Sequence, residues 1–228
     1  MVVKESFYVG YSDINKEMAL SNASILKIFE NMACIHGALC GESIKTCPIR
    51  WFLTGYEVNV IRRPEIEERV LVHTWSREMR GVSACREFEI YGEDGTLCVT
   101  GISNWARTNA VTQRLERATP DIAAKYESEP NRTNFEKTWL EKLSEPSEYT
   151  SSRKFTVERN HIDVNDHMNN VFYLDAAKLA LPSSAVRRFS SVLLLITVRT
   201  IPSLCDISSP KTGISSPLAQ STPSSSKV

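Results

Sequence analysis

The chain has no excess of either charge: 27 lysines and arginines balance 27 aspartates and glutamates in 228 residues. Without a basic field, a basic stripe or a recognised motif there is nothing to hold a phosphate backbone, so nucleic acid is excluded as a partner. Nowhere do about 18 apolar residues run together, the minimum for a membrane-spanning helix, so no membrane span is expected. The opening residues, MVVKESFYVGYSD, have neither a long apolar core nor an Arg/Ser-rich transit character, and a cytoplasmic setting is expected. The six cysteines (Cys34, Cys40, Cys47, Cys85, Cys98 and Cys205) form no C-x-x-C pair and have no histidine at ligand spacing. No metal and no cofactor are therefore expected, and most of these thiols should be small core residues in a reducing compartment.

What is present reads as an ordinary globular protein, 42% hydrophobic and 24% charged, of a length that suits one large domain or two smaller ones. A strand-like stretch, Ser6–Tyr11, opens the chain. A helix follows, with Ser21 or Asn22 as N-cap, Ile25, Ile28, Phe29, Met32, Ile35, His36 and Leu39 at helical spacing, and Gly41 as its stop. His36 lies on that apolar stripe, where a buried core histidine is the more frequent outcome than a ligand. Four β-type segments come next, Trp51–Ile61, Arg69–Arg77, Ser83–Tyr91 and Thr96–Thr108, with turns at Arg80-Gly81 and Gly92-Glu93-Asp94-Gly95.

From about Pro120 to Tyr149 the composition turns polar, and a short helix is expected around Trp139-Leu140. The plan then restarts with a strand at Arg153–Val157, a polar loop, and a helix over Val171–Leu181. Two copies of a small α+β unit fit this order. The boundaries expected are residues 1–125 for the first unit, 126–150 for a linker, 151–207 for the second unit and 208–228 for a disordered Ser/Pro-rich tail. From Ser183 onward there are 13 serines and a single acid, Asp206, and only Val192–Ile201 reads as a strand. The second unit is thus expected to be incomplete.

The most informative stretch is Asp163-Val164-Asn165-Asp166-His167-Met168-Asn169-Asn170, just ahead of the apolar run Val171-Phe172-Tyr173-Leu174. If the segment is extended, the spacing of two sends the Asp163, Asn165 and His167 side chains to one face. A carboxylate, an amide and an imidazole facing one way make an acid/base assembly. Helix capping, for which Asn and Asp are favoured, accounts for one or two of these residues but not for the spaced trio.

Asp163-x-Asn165-x-His167-x-Asn169-Asn170 followed by Tyr173 resembles the signature of the acyl-acyl carrier protein (acyl-ACP) thioesterases. The first half carries further likenesses: Trp51-Phe52-Leu53-Thr54, the Arg62-Arg63-Pro64 turn, Thr74-Trp75-Ser76, Ser103-Asn104-Trp105-Ala106 and Thr112-Gln113-Arg114. The resemblance implies a tandem, or double, hotdog fold, each copy a long helix wrapped by an antiparallel sheet. It implies hydrolysis of a fatty acyl thioester on the phosphopantetheine arm of acyl carrier protein, in fatty acid biosynthesis. The first unit would shape the acyl pocket and the second would carry the catalytic residues. It also implies a further acid on the strand after the second helix, where Thr200 stands in Val198-Arg199-Thr200-Ile201-Pro202. Cys205 falls a few residues too late for the cysteine that often follows that acid.

For thioester hydrolysis, His167 is the natural base or proton shuttle, because imidazoles titrate near neutrality. Asp163 would orient it, with an exchange of roles between the two left open. Asn165 would donate to the carbonyl oxygen or place the water, and backbone N–H groups near Asn169 and Asn170 would add the positive end of a helix dipole. Phe29, Met32, Trp51, Phe52 and Trp105 are candidates for the acyl pocket wall, although such residues are core more often than pocket. Carrier proteins are acidic, so Arg62, Arg63, Arg77, Arg80 and Arg86 could form a docking patch, or equally a solvated face paired with Glu65, Glu67, Glu68 and Glu78. Alternatives are a hotdog acyl-coenzyme A hydrolase, a non-catalytic acyl or carrier-protein binder, and a Cys205–His167 thiol mechanism. The assembly expected is a monomer or a homodimer, since an incomplete second unit leaves an edge strand open.

Overall fold

The computed structural model describes residues 1–141, 151–180 and 205–209. Strand β1 spans Val2–Tyr8, starting four residues ahead of its expected start, and it ends short of Tyr11 because Tyr11–Asp13 close into a 3-10 turn instead of extending the strand. Helix α1 (Asn22–Leu39) begins as its sequence demands: the Ser21 hydroxyl accepts from the Ser24 N–H, and Gly41 at φ +87° ends it. Strands β2 (Ile49–Val60), β3 (Arg69–Arg80), β4 (Ser83–Tyr91) and β5 (Leu97–Asn109) follow as four long antiparallel elements. The two-residue strand β6 (Arg114–Leu115) pairs with β5, and the sheet runs β1-β3-β4-β5-β2. The Gly92–Gly95 turn closes β4 to β5 as its sequence predicts, with the Gly95 N–H donating to the Gly92 carbonyl at 2.9 Å.

The sheet wraps α1. Phe29 stacks on Phe88 of β4 with centroids 4.2 Å apart, and Met32, Tyr56, Val72 and Ile90 complete a core from which water is excluded. Phe29 and Met32 are therefore core residues and not pocket walls. Gly101 of β5 makes that contact possible, since a Cβ there would lie 2.3 Å from Phe29 Cε2.

The central strands are buried on both faces. The outer face of β3 and β4 is covered by the connection after the sheet, which holds helix α2 (Pro120–Lys125) rather than a helix at Trp139-Leu140. Thr119 caps α2, and Pro120 suits its first turn. The residues beyond run irregularly because they bond to the sheet: Trp75 Nε1 donates to the Arg132 carbonyl at 2.9 Å, and Leu140 N to Asn104 Oδ1 at 2.7 Å. Arg77, the extra residue of a bulge in β3, pairs with buried Glu87 and donates to the Phe135 and Lys137 carbonyls.

The second unit repeats the first in miniature. Strand β7 (Ser151–Phe155), a 3-10 turn (Arg159–His161), an Ile162–Met168 bridge and helix α3 (Asn170–Ala180) mirror β1, its 3-10 turn, the Ile14–Leu20 bridge and α1. Val171 and Leu174 enter the same core as Phe29, so α3 packs on α1. Strand β8 (Cys205–Ser209) pairs antiparallel with β7, and its last two residues, Ser208 and Ser209, belong to strand where tail was expected. The expected strand Val192–Ile201, Thr200 within it, and residues 210–228 lie outside the described residues. Among the described residues no helix is long and apolar enough to cross a membrane.

Candidate active site

The segment Asp163–His167 is a tight turn, not an extended run. The Asp166 N–H donates to the Asp163 carbonyl at 3.1 Å, the Asp163 N–H to the His167 carbonyl at 2.8 Å, and Asp166 sits at φ +56°. Asp163 builds the turn with its own side chain: Oδ1 accepts from the Asn165 N–H at 2.8 Å and from the His167 N–H at 3.3 Å. The alternation expected of a strand is thereby lost. Asp163 and Asn165 line a cavity, whereas the His167 ring turns to meet Phe52 edge-on, with centroids 5.5 Å apart. Neither His167 nor Phe52 is among the residues lining that cavity.

The cavity holds about 590 Å³ and lies between α1, the sheet and the turn before α3. That volume suits a small-molecule or acyl ligand. Asp163, Asn165, Asn169 and Asn170 form one polar wall. Asn169 is the cap of α3, its Oδ1 accepting from the Val171 N–H at 2.9 Å. Asn170 reaches across to α1 and donates through Nδ2 to Glu30 Oε1 at 2.8 Å. Asn165 has capacity to spare: Nδ2 makes a long 3.5 Å contact to Asp163 Oδ2, and the buried Oδ1 has no partner among the described residues. Ile44, Ile162 and Val164 are apolar yet exposed and form a greasy rim.

Trp51 and Trp105 also line the cavity. Trp51 Nε1 donates to Glu42 Oε2 at 2.8 Å, Tyr126 Oη donates to the same oxygen at 2.8 Å, and Arg107 holds Glu42 Oε1 through Nε and Nη2. Trp105 Nε1 is satisfied by Ser103 Oγ at 2.6 Å. Arg86 is buried, donating to His36 Nδ1 at 2.8 Å and to Thr74 Oγ1 at 3.1 Å. Burial first, and the Arg86 charge second, push the His36 imidazole down to about 3. His36 Nε2 has no hydrogen-bond partner among the described residues, although the Tyr126 backbone lies near enough to favour the charged ring slightly.

The five arginines offered as a docking patch are not one. Arg77 and Arg86 are buried, Arg62 is paired with Glu68 at 2.7 Å, and Arg63 donates to the Leu20 carbonyl and to Asn22. Only Arg80 of the five stays exposed without such ties among the described residues. The cysteine proposed for a thiol mechanism, Cys205, sits in β8 opposite Phe155.

Sequence reasoning missed Glu30, the single carboxylate of α1 and a lining residue of the cavity. Burial raises its pKa above the ordinary glutamate value of 4.5; bonds from Asn170 and Asn169 work the other way, and the Asp163 charge adds to the rise. Burial likewise raises Cys34 one turn on, with Glu30 adding to it. The available signal was a lone acid beside an apolar stripe. It also missed Glu42 and Tyr126, which belong to different elements and meet only in the fold, and it read Arg86 as a surface residue. Among the described residues no cluster of metal-binding side chains occurs.

Comparison with known proteins agrees with this architecture. The chain is 22% identical over 203 residues to oleoyl-acyl carrier protein thioesterase 1, chloroplastic, of Arabidopsis thaliana, covering 80% of this chain and 56% of that one. It thus spans about half the length of the curated relatives it matches. Its fold is similar to that of an acyl-ACP thioesterase from Bacteroides thetaiotaomicron, with TM-score 0.69 at 19% identity over 82% of this chain and 76% of the other. The 12:0-ACP thioesterase of Umbellularia californica gives TM-score 0.67 at 19% identity, covering 82% and 77%. These likenesses establish the hotdog fold, α+β with a sheet wrapped on a helix. The acyl-ACP thioesterase N-terminal domain pattern matches residues 1–126 and the C-terminal domain pattern residues 144–198, and the chain belongs to the acyl-ACP thioesterase family.

Proposed function

We propose that this chain hydrolyses the thioester joining a fatty acyl group to acyl carrier protein, giving the free fatty acid and the carrier thiol. The observation that carries this reading is the cavity itself. One side is the polar turn Asp163–Asn170, the rim is apolar, and Trp51 and Trp105 are among the lining residues. An acyl chain needs apolar walls, and its thioester carbonyl needs donors where negative charge develops.

Asn165, with its side-chain amide on the cavity wall, is the donor to that carbonyl, helped by the N–H groups that open α3. Asp163 fixes the turn and sets the Asn165 position. His167, half-buried at the flank against Phe52, relays protons between the turn and solvent. In this reading residues 1–125 are the acyl-pocket unit, 126–150 the connection and 151–207 the motif-bearing unit. The cavity draws walls from the first and the last. The free thiols Cys34, Cys40, Cys47, Cys85 and Cys98 suit a reducing compartment, and a cytoplasmic monomer or homodimer goes with the proposal.

The test is thiol release from a panel of acyl-ACP and acyl-coenzyme A thioesters by the whole chain and by its His167→Ala variant. Release that prefers the protein-bound thioester and falls about 10²-fold or more in the variant supports the proposal. A preference for the coenzyme A thioester would make the chain an acyl-coenzyme A hydrolase. A folded protein that binds acyl-ACP and releases no thiol would make it a binder.

A further inference from the structure

We propose that Glu30, on the helix of the first unit, is the catalytic base that takes the proton of the attacking water. The inference rests on the thioesterase reading above and adds a residue to it from outside the motif. Its ground is geometric. Glu30 lines the same cavity as Asp163, Asn165, Asn169 and Asn170, and its Oε1 is held by Asn170 Nδ2 at 2.8 Å.

That bond, with a second from the Asn169 side chain, fixes the carboxylate against the turn that carries Asn165. A carboxylate so held is a positioned acceptor, the first requirement of a general base. The His167 ring, by contrast, lies outside the cavity lining. The Asp163 carboxylate is already committed through Oδ1 to two backbone N–H groups of its turn.

The electrostatic setting agrees. Burial lifts Glu30 above the ordinary glutamate range, which brings a weak carboxylate base closer to working pH. The titratable groups that face it are Asp163 across the cavity, Cys34 on its own helix and Tyr56 on β2. Cys34 and Tyr56 are both shifted up from ordinary values that already lie above neutrality, so neither competes for the proton.

The step balances without a co-reactant. A water oxygen forms a bond to the thioester carbonyl carbon while one of its protons passes to Glu30. Collapse of the tetrahedral intermediate breaks the C–S bond, and the departing thiolate takes the proton back from the Glu30 carboxylic acid. Fatty acid and thiol leave, and the carboxylate is restored.

The experiment compares full-length wild type with Glu30→Gln, Glu30→Asp and Glu30→Ala on an acyl-ACP thioester, with a thermal melt of each. The pH profile of kcat/KM is then recorded for every variant that turns over. The expected result is a fall in kcat of about 10²-fold or more in E30Q with KM little changed. An acidic limb of unit slope should be present in wild type and E30D, and added formate should restore part of the E30A rate. A merely structural Glu30 would give no rescue and would leave the limb in place in E30Q.

Wild-type rate and an intact limb in E30Q would overturn the assignment while leaving the thioesterase reading standing. Should E30Q not fold, a wild-type profile with no acidic limb overturns it equally. An inactive wild type would sink the thioesterase reading, and the base with it.

Discussion

Asn15 and Asp163, 148 positions apart in the chain numbering, hold the same turn in the two units. Asn15 Oδ1 accepts from the Glu17 and Ala19 N–H groups at 3.0 and 3.2 Å, as Asp163 Oδ1 accepts from those of Asn165 and His167. Met18 at φ +58° matches Asp166 at φ +56°, and Ser21 caps α1 where Asn169 caps α3. An amide oxygen therefore suffices to build this turn. The side chains that differ between the copies, Asn165 and His167 against Glu17 and Ala19, are those the chemistry can use.

It follows that Asp163→Asn should keep the turn while removing its charge. The melting temperature of D163N is expected to stay within a degree or two of wild type, whereas thiol release falls if the carboxylate's charge serves the reaction. A large drop in melting temperature would show that Asn does not replace Asp here as it does at the first turn.

Asn165→Ala is the complementary change. Its amide makes one long contact and has one unpaired buried atom, so its loss should leave stability nearly unaltered. Thiol release should drop about 10²-fold, the usual effect of deleting one donor to a developing oxyanion. Steady-state kinetics beside a denaturation curve separates the two effects.

His36 predicts an acid weakness. Its pKa is depressed in the folded chain from 6.5 to about 3, so the unfolded chain binds the proton more readily between those values. The stability that a neutral His36 contributes is fully present above pH 6.5 and is lost as pH falls toward 3. In His36→Gln the slope of melting temperature against pH in that window should flatten. An unchanged slope would place the acid sensitivity elsewhere.

Glu30 predicts the opposite sign. Its pKa is raised, so the folded chain prefers the protonated form, and stability from that preference is lost as pH rises through the folded value. The melting temperature of Glu30→Gln should rise relative to wild type as pH increases from 4.5 to neutrality. A variant less stable than wild type at neutral pH would contradict this.

Gly101→Ala should be destabilising by about 1–3 kcal/mol, because the added methyl would meet the Phe29 ring edge, and that ring is fixed by its stack on Phe88. Urea denaturation measures it. A neutral result would mean that the α1–sheet contact relaxes at no cost.

Much of the fold was legible in sequence because local rules governed it. Ser21 and Gly41 bracket α1, and glycines mark the hairpin turns. The β-rich runs became strands within a few residues of their expected ends, with β4 at Ser83–Tyr91 as read. The motif drew the eye to a loop whose Asp163 and Asn165 line the cavity. Its shape was misjudged because the Asp163 side chain accepts from the Asn165 and His167 N–H groups, which an extended segment would not allow. Helix α2 was displaced from its expected place for a tertiary reason: the residues after it satisfy their backbone on the sheet through Trp75, Arg77 and Asn104.

The sequence by itself determined the duplicated strand–turn–helix plan, the caps and the identity of the polar residues in the second turn, since each depends on neighbours a few positions away. Only the tertiary structure decided which of them face the cavity. It turned His167 to Phe52, sent Arg77 and Arg86 to buried partners, and brought Glu30 to Asn170 across 140 positions. No local spacing encodes such a meeting; it exists because α3 buries Val171 and Leu174 against the core of the first unit and carries Asn170 to the face of α1.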